Sequence, residues 1–349
     1  KSHLISVVGF FEKSSMNIKI FIGFGILILL FNNVNFFKRN GMLMQRKVYV
    51  PIEKCNCSRA YYDSYFKWLS DDTLYAETTC SETAWRRGSK QKVMSYTYYA
   101  NSLTNDEATH AYIKGIAANV QSIKKFFPGW AMRLYYDVHS THPLYKDMCR
   151  LVCQNNHVDL CNVRNLPGVP LKNASSLFGM LWRFFPTLDP QVDIIGSRDL
   201  DSVFTEREVA AVQEWMNSDK ILHAMRDHPQ HKTEILGGLW EANVVSQKAR
   251  NLWKKSWDDL IVDTSAWTGK SGRGNDQRLL TRYIWNIWGH KNALHHDSYF
   301  CQVYSNSTPW PVQRKKGVNN FVGAVVKSNL TIWQECPQKC RKHSEWKLC

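Results

Sequence analysis

The sequence predicts an α/β protein with a mostly parallel central sheet and helices on both faces. Three observations carry this. Strand-like runs alternate with helix-period segments from Lys92 to Ser197. Such alternation returns each strand through a helix and so pairs the strands in parallel. The helical segments end at proline and glycine, as at Pro128-Gly129. Finally, 349 residues at 44% hydrophobic and 13% aromatic can bury a large core, which excludes a disordered chain.

The elements follow in order. KVMSYTYYA (Lys92–Ala100) is a strand. Asp106–Phe127 carries apolar residues at helical spacing, and Trp130–Val138 is a second strand. A helix over 143–156 precedes a third strand, Val158–Asn165, and Ser175–Leu188 is a helix ending near Pro186. VDIIGS (Val192–Ser197) is a fourth strand. Thr205–Ser218 is a helix, with Thr205 and Glu208 spaced as a capping box. Lys220–His228 is a strand, and Ile235–Ala242 is a glycine turn beside an apolar segment. Gln247–Ile261 and Asn275–Trp288 are helices, and Ala293–Cys301 is a late strand or strand end. Trp253, Trp257, Trp285 and Trp288 sit at helical spacing as core, together with Trp267.

Three regions are expected. Residues 1–37 contain the apolar run Asn17–Phe37, which suits a signal anchor or, as the alternative, a cleaved signal peptide; Met16 is a candidate native start. Residues 38–91 are polar, aromatic-rich and stem-like, and 92–349 form the regular domain with a cysteine-rich tail. Behind such a leader the ten cysteines are expected in disulfides. The C-x3-C-x3-H-x3-C spacing from Cys149 to Cys161 also suits zinc, but no paired CxxC knuckle accompanies it. Sequons at Asn56, Asn173, Asn306 and Asn329 agree with a lumenal location. The net charge of +15 suits anionic partners, yet no run of five Lys/Arg occurs, so nucleic acid is not expected.

The chemistry centres on IIGSRDLDSV (Ile194–Val203). Asp199 and Asp201 flank one apolar residue directly after the fourth strand, so both project the same way. Ligands of open α/β sheets bind at the carboxyl ends of strands. Mn²⁺ or Mg²⁺ can bridge such a carboxylate pair to a diphosphate.

The segment WRFFPTLDPQVDIIGSRDLDS (Trp182–Ser202) resembles the core of GT-A glycosyltransferases, especially glycogenin-like nucleotide-sugar enzymes. ILGGLWEA, GNDQRLL and HHDSYF are similar to the later segments of that family, so the resemblance runs from Lys92 to Phe300. It implies a GT-A-like, Rossmann-like fold and hints at retention of configuration. It implies that Arg183 contacts the nucleotide sugar, with Arg198 adding charge to the phosphates. Gly237 and Gly238 would line the sugar site, with Asp276 and Gln277 near the donor sugar. Asp199 and Asp201 would hold the metal, with a third ligand from His295, His296 or Asp297. Asp227, with Arg226 and His228, follows a strand and is a further candidate to face the sugar. Two departures stand: Arg198 precedes D-x-D where the family has Leu or an aromatic residue, and the late His lacks the Gly and Lys-Pro-Trp that follow it there.

The expectation is a metal-dependent glycosyltransferase of the Golgi or ER lumen, a single-pass type II membrane protein or, as the alternative, a secreted one. It would use a nucleotide-diphosphate sugar and a glycan, glycoprotein or lipid acceptor. The alternatives are a haloacid-dehalogenase-type phosphatase, with Asp199 as nucleophile, or a non-catalytic carbohydrate-binding protein.

Overall fold

The computed structural model describes residues 45–52, 54–64, 77–99, 107–168, 173–267, 272, 274–326 and 330–349. The apolar run at 17–37 lies outside them. Among the described residues no helix is long and apolar enough to cross a membrane. The chain divides into two compact units, 1–48 with 62–71, and 49–61 with 72–349. Of the first, only strand residues are described, from β1 (Gln45–Pro51) and β2 (Ser58–Ser64). The second unit carries everything that follows.

It is built on a seven-stranded sheet. The strands are β3 (Gln91–Tyr99), β4 (Ala131–Asp137), β5 (Val158–Asn162), β6 (Val192–Arg198), β7 (Leu222–Arg226), β8 (Leu239–Asn243) and β9 (Ala293–Asp297). They lie in the order β5-β4-β3-β6-β8-β7-β9. β5, β4, β3 and β6 run parallel, as do β7 and β9; β8 runs antiparallel to both of its neighbours.

Helices cover both faces. The intervening helices are α1 (Glu82–Trp85), α2 (Glu107–Phe126), α3 (Pro143–Gln154), α4 (Glu206–Met216), α5 (Gln247–Ile261) and α6 (Asn275–Leu280). α6 continues as a π-helix, Thr281–Gly289. Side chains alternate across a strand, and β3 and β6 split accordingly. Met94, Tyr96 and Ile194 pack under α2, α3 and α4, through Val120, Met148 and Trp215. Val93 and Ile195 face Trp182 and Phe185, Trp253 and Trp257 of α5, and Leu279 of α6. Trp285 and Trp288 are buried there too, so four of the tryptophans expected in the core are in it; Trp267 is partly buried against it.

Three elements differ from expectation. The segment before Pro186 is a 3-10 helix, Gly179–Leu188, with Pro186 inside it; proline has no N–H to give to an α-helical ladder. The glycine turn at Gly237-Gly238 leads into β8, a strand of only five residues, too short to show a period of its own. The late strand stops at Asp297, whose carboxylate accepts from Tyr299 N (2.8 Å) and Phe300 N (2.7 Å) and turns the chain.

All ten cysteines are in disulfides: Cys55–Cys149, Cys57–Cys153, Cys80–Cys161, Cys301–Cys340 and Cys336–Cys349. The zinc alternative at Cys149–Cys161 is thereby excluded. Residues 49–61 and 77–91, expected in a stem, are fastened into the second unit. Three bridges spanning 94, 96 and 81 residues do this, and long loops lose the most unfolded-state entropy on closure. Arg59 also reaches Asp159 (2.8 Å), and Thr79 N donates to Asp189 (2.9 Å).

Candidate functional site

The site lies at the carboxyl end of β6. Ser197 and Arg198 are buried at the strand end, Asp199 is half-buried, and Asp201 is exposed. The strand delivers the D-x-D as it emerges from the sheet.

Arg183, on the 3-10 helix, joins the pieces. Its Nη1 donates to Asp199 Oδ1 and to Arg198 O (3.2 Å), and its Nη2 donates to Asp276 Oδ2 (2.8 Å). The three side chains differ in exposure: Arg183 1%, Asp276 4%, Asp199 46%. Asp276 is thus the inner anchor, and Asp199 the face turned to solvent. Burial works against the Arg183 charge, but Asp199 and Asp276 together hold its pKa above the ordinary value. For Asp199, burial favours the neutral acid; the Arg183 guanidinium outweighs it and holds the pKa below the usual carboxylate range.

Gly237 and Gly238 form the wall beside this cluster. A Cβ on Gly237 would run into Asp276 Oδ2 and lie 2.6 Å from Arg183 Nη2. A Cβ on Gly238 would lie 2.5 Å from Asp199 Cγ. Only residues without a side chain allow the backbone so close. Ser197 Oγ pins the turn by donating to Gly237 O (2.7 Å). Four segments distant in sequence therefore bring Arg183, Asp199, Asp276, Gly237 and Gly238 together. Gln277 is next along α6 and is half-buried.

Asp201 lies on the open side. Its carboxyl pKa is raised, first by partial burial and then by the Asp199 charge. Its backbone O accepts from Val326 N (2.9 Å), so the C-terminal tail packs directly against the D-x-D. Two carboxylates that repel one another at a strand mouth fit a divalent cation, which would relieve the repulsion.

The late histidines are placed elsewhere. His295 and His296 are buried on β9 and point to opposite sides of it. His295 Nδ1 accepts from Arg226 Nη2 (2.6 Å), and burial together with the Arg226 charge pushes its pKa down to about 3. His296 Nδ1 is 2.8 Å from His223 Nε2, and its pKa falls to about 4, chiefly through burial. Among the described residues, the one group of three metal-competent side chains close enough to share an ion is Asp297, Cys301 and Cys340. Cys301 and Cys340 are bonded to each other, so neither is a thiolate ligand. Asp199 and Asp201 are the residues at this strand end that could hold a cation. Mg²⁺ commonly binds in that way, through one or two carboxylates, substrate phosphates and water.

Two other candidates serve the framework. Arg198 is enclosed rather than turned to solvent. It pairs with Glu208 of α4 (2.9 Å) and donates to Gly238 O (3.4 Å) and Ser202 Oγ (3.3 Å). Glu208 N still takes the Thr205 cap (3.2 Å), but the Glu208 carboxylate is on Arg198 and does not return to the helix start. Asp227 is buried with its oxygens on Arg207 (2.9 and 3.0 Å), Arg314 (2.6 Å), Ser298 and Val322 N (2.9 Å). No partner of Asp227 comes from the Arg183 cluster. Arg226 is likewise committed, to Asp297 (2.6 Å) and His295. His228 is partly buried against Phe321 (ring centroids 4.6 Å).

Behind the site runs a buried polar chain that the sequence did not reveal. Glu241 Oε2 is 2.6 Å from His223 Nδ1, His223 Nε2 is 2.8 Å from His296 Nδ1, and His296 Nε2 is 3.5 Å from Glu214. Burial raises the Glu241 pKa to about 8 and lowers that of His223 to about 3. A neutral imidazole has one N–H. With Glu241 protonated, its hydroxyl donates to His223 Nδ1 and His223 Nε2 donates to His296 Nδ1. The signal was invisible because β8, which carries Glu241, was not recognised as a strand.

No family model matches the chain, and no curated protein matches its sequence. Among solved structures, the apo form of the glycosyltransferase GlyE of Streptococcus pneumoniae TIGR4 is similar to it. The match has 14% identity and a TM-score of 0.37, over 59% of this chain and 45% of that one. The likeness thus spans less than half the length of that protein.

Proposed function

We propose that this chain is a GT-A-like glycosyltransferase that uses a divalent cation and a nucleotide-diphosphate sugar. The observation that carries the reading is the convergence of Arg183, Asp199, Asp276 and Gly237-Gly238 at the end of β6. Arg183, buried and donating to both carboxylates, fixes Asp199 and Asp276 in place before substrate arrives, so they lose little entropy in meeting it. Asp199 and Asp201 are the residues to hold Mn²⁺ or Mg²⁺; the bound cation supplies neutralising charge at the diphosphate leaving group. Gly237 and Gly238 let the backbone close against Asp276 and Asp199, which sets these carboxylates, with Gln277 next along α6, to face the donor. Arg198 and Asp227 hold this frame from behind instead of touching the donor.

The disulfides and three exposed sequon residues, Asn56, Asn173 and Asn306, support a secretory-pathway location, with the apolar run at 17–37 as the membrane anchor or leader. The acceptor would be a glycan, glycoprotein or lipid.

Thermal shift with UDP, GDP and CMP, each with and without Mn²⁺, tests the reading. At least one nucleotide should raise the melting temperature only when Mn²⁺ is present. Asp201→Asn should remove that rise and metal-dependent sugar transfer or hydrolysis while leaving the fold intact. No shift with any nucleotide, or full activity of Asp201→Asn, would overturn the assignment. An aspartyl-phosphate formed at Asp199 from an aryl phosphate would favour the phosphatase reading instead.

A further inference from the structure

A cavity lies at the opposite end of the parallel strands from the D-x-D, where β3 and β4 begin. Its volume is about 490 Å³, inside the range of roughly 300–1,000 Å³ typical of small-molecule sites. β6 pairs Val192 with Gln91 at this end and stops at Arg198 beside the D-x-D. Six steps of about 3.3 Å separate the two ends by roughly 20 Å, so this cavity is separate from the donor site.

Its lining is cationic. Arg87, Lys90, Lys92 and Lys124 converge on it from the turn before β3, from β3 and from the end of α2, with His157 between them. No carboxylate lines it. Arg87 itself is paired with Asp159 (2.6 Å), which also pairs with Arg59 (2.8 Å). The three lysines are exposed. A concave wall of one charge sign over an apolar floor, here Trp130 with its neighbours, focuses the field on whatever enters. The His157 pKa is lowered, chiefly by burial; its hydrogen bond to Val120 O works against this, and Arg87 and Lys124 add to the lowering.

The wall is also held in place. Lys90 adopts φ +64°, a left-handed conformation unfavourable to a lysine. Gln91 fixes the turn that imposes it, donating to Ala84 O (2.9 Å) and Gly88 O (2.8 Å). Gln91 in turn accepts from Arg133 (3.0 Å), which is paired with buried Asp189 (2.8 Å).

We infer that this cavity is a binding site for a small ligand bearing a phosphate or sulfate group. Lysine ammonium groups are mobile point charges and suit tetrahedral oxyanions, which present acceptors in every direction. The apolar floor suits the remainder of such a ligand, a sugar or an organic ester.

The test uses the full chain in EDTA, so that the carboxylate pair at the D-x-D has no cation. Pyrophosphate, inorganic sulfate and glucose 6-phosphate are titrated by calorimetry against the native protein, Asp201→Asn, and Lys90→Ala/Lys124→Ala. Binding should persist in Asp201→Asn and weaken at least about tenfold in the lysine double variant, which loses two charged contacts. Glucose 6-phosphate binding more tightly than the inorganic anions would identify an ester as the natural class; the reverse order would identify the free anion. The double variant should keep its response to nucleotide and Mn²⁺, which separates this site from the proposed active site. Equal binding by the double variant, heat reproduced by NaCl of matched ionic strength, or binding only to vesicles of anionic lipid would overturn the inference.

Discussion

Arg183→Met offers a quantitative probe of the site, because the two partners of Arg183 differ so much in exposure. Asp276 is 4% exposed and Asp199 46%. Removing the guanidinium strands a buried carboxylate at Asp276, and breaking a buried pair from one side costs about 3–5 kcal/mol. The Asp199 pair faces solvent and adds no more than about 1 kcal/mol. Arg183→Met is therefore expected to lose roughly 3–5 kcal/mol. Asp276→Asn leaves Arg183 its other carboxylate and should lose less, about 1–3 kcal/mol. Arg183→Met/Asp276→Asn removes both charges, and should be more stable than the sum of the singles predicts by at least about 1 kcal/mol. Equilibrium urea unfolding with disulfides intact measures all three. Additive losses, or a cost below about 1 kcal/mol for Arg183→Met, would refute a buried Arg183–Asp276 pair as the anchor of the site.

Three further outcomes are expected. Gly238→Ala puts a Cβ 2.5 Å from Asp199 Cγ; Asp199 must move, so nucleotide affinity with Mn²⁺ should drop at least about tenfold, which calorimetry reads. Asp227→Asn leaves Arg207 and Arg314 facing each other without their shared carboxylate; a loss of about 3–5 kcal/mol is expected in urea unfolding. Glu241 sets a pH dependence. Its pKa rises from 4.5 to about 8 on folding, so between those values the folded protein holds a proton that the unfolded chain has released. Stability then falls as pH rises through this window. His223 acts oppositely, but only between about 3 and 6.5. From pH 6.5 to 8 the buried carboxyls act alone, Glu208 with them. The urea midpoint should drop over that range, and Glu241→Gln should flatten the drop; an unchanged slope would exclude Glu241 as its source.

Most of the fold was legible because its signals are local. β3, β4, β5 and β6 announce themselves by composition, and the helices between them by period and stops. What was missed depends on partners. β8 is five residues long, follows two glycines, and runs against the direction of both neighbours. Nothing within it marks it as a strand until β6 and β7 are in place on either side. The disulfide pairing was closed to sequence for the same reason. Cys55 and Cys149 lie 94 positions apart in sequence, and only the tertiary fold brings them together.

The site divides along the same line. D-x-D after an apolar strand, and Gly-Gly beside an apolar run, are patterns of neighbours in sequence, and the structure sets them side by side. Charged residues standing alone were harder to place, because burial and not identity decides what a charge does. Arg183 and Arg198 look alike in sequence, each next to an apolar run. Arg183 has Asp199 on its open side, whereas Arg198 points along the strand into α4 and meets Glu208. Asp199 and Asp227 both follow strand ends. Asp227 is met there by two guanidiniums, a hydroxyl and an amide, which leave it no free lone pair for a ligand. Asp199 keeps one oxygen beside Gly238 and nearly half its surface in solvent. A carboxylate is available for chemistry only to the extent that the fold leaves it unsatisfied. By that criterion the pair at the end of β6, and not Asp227, is where the proposed cation and diphosphate would bind.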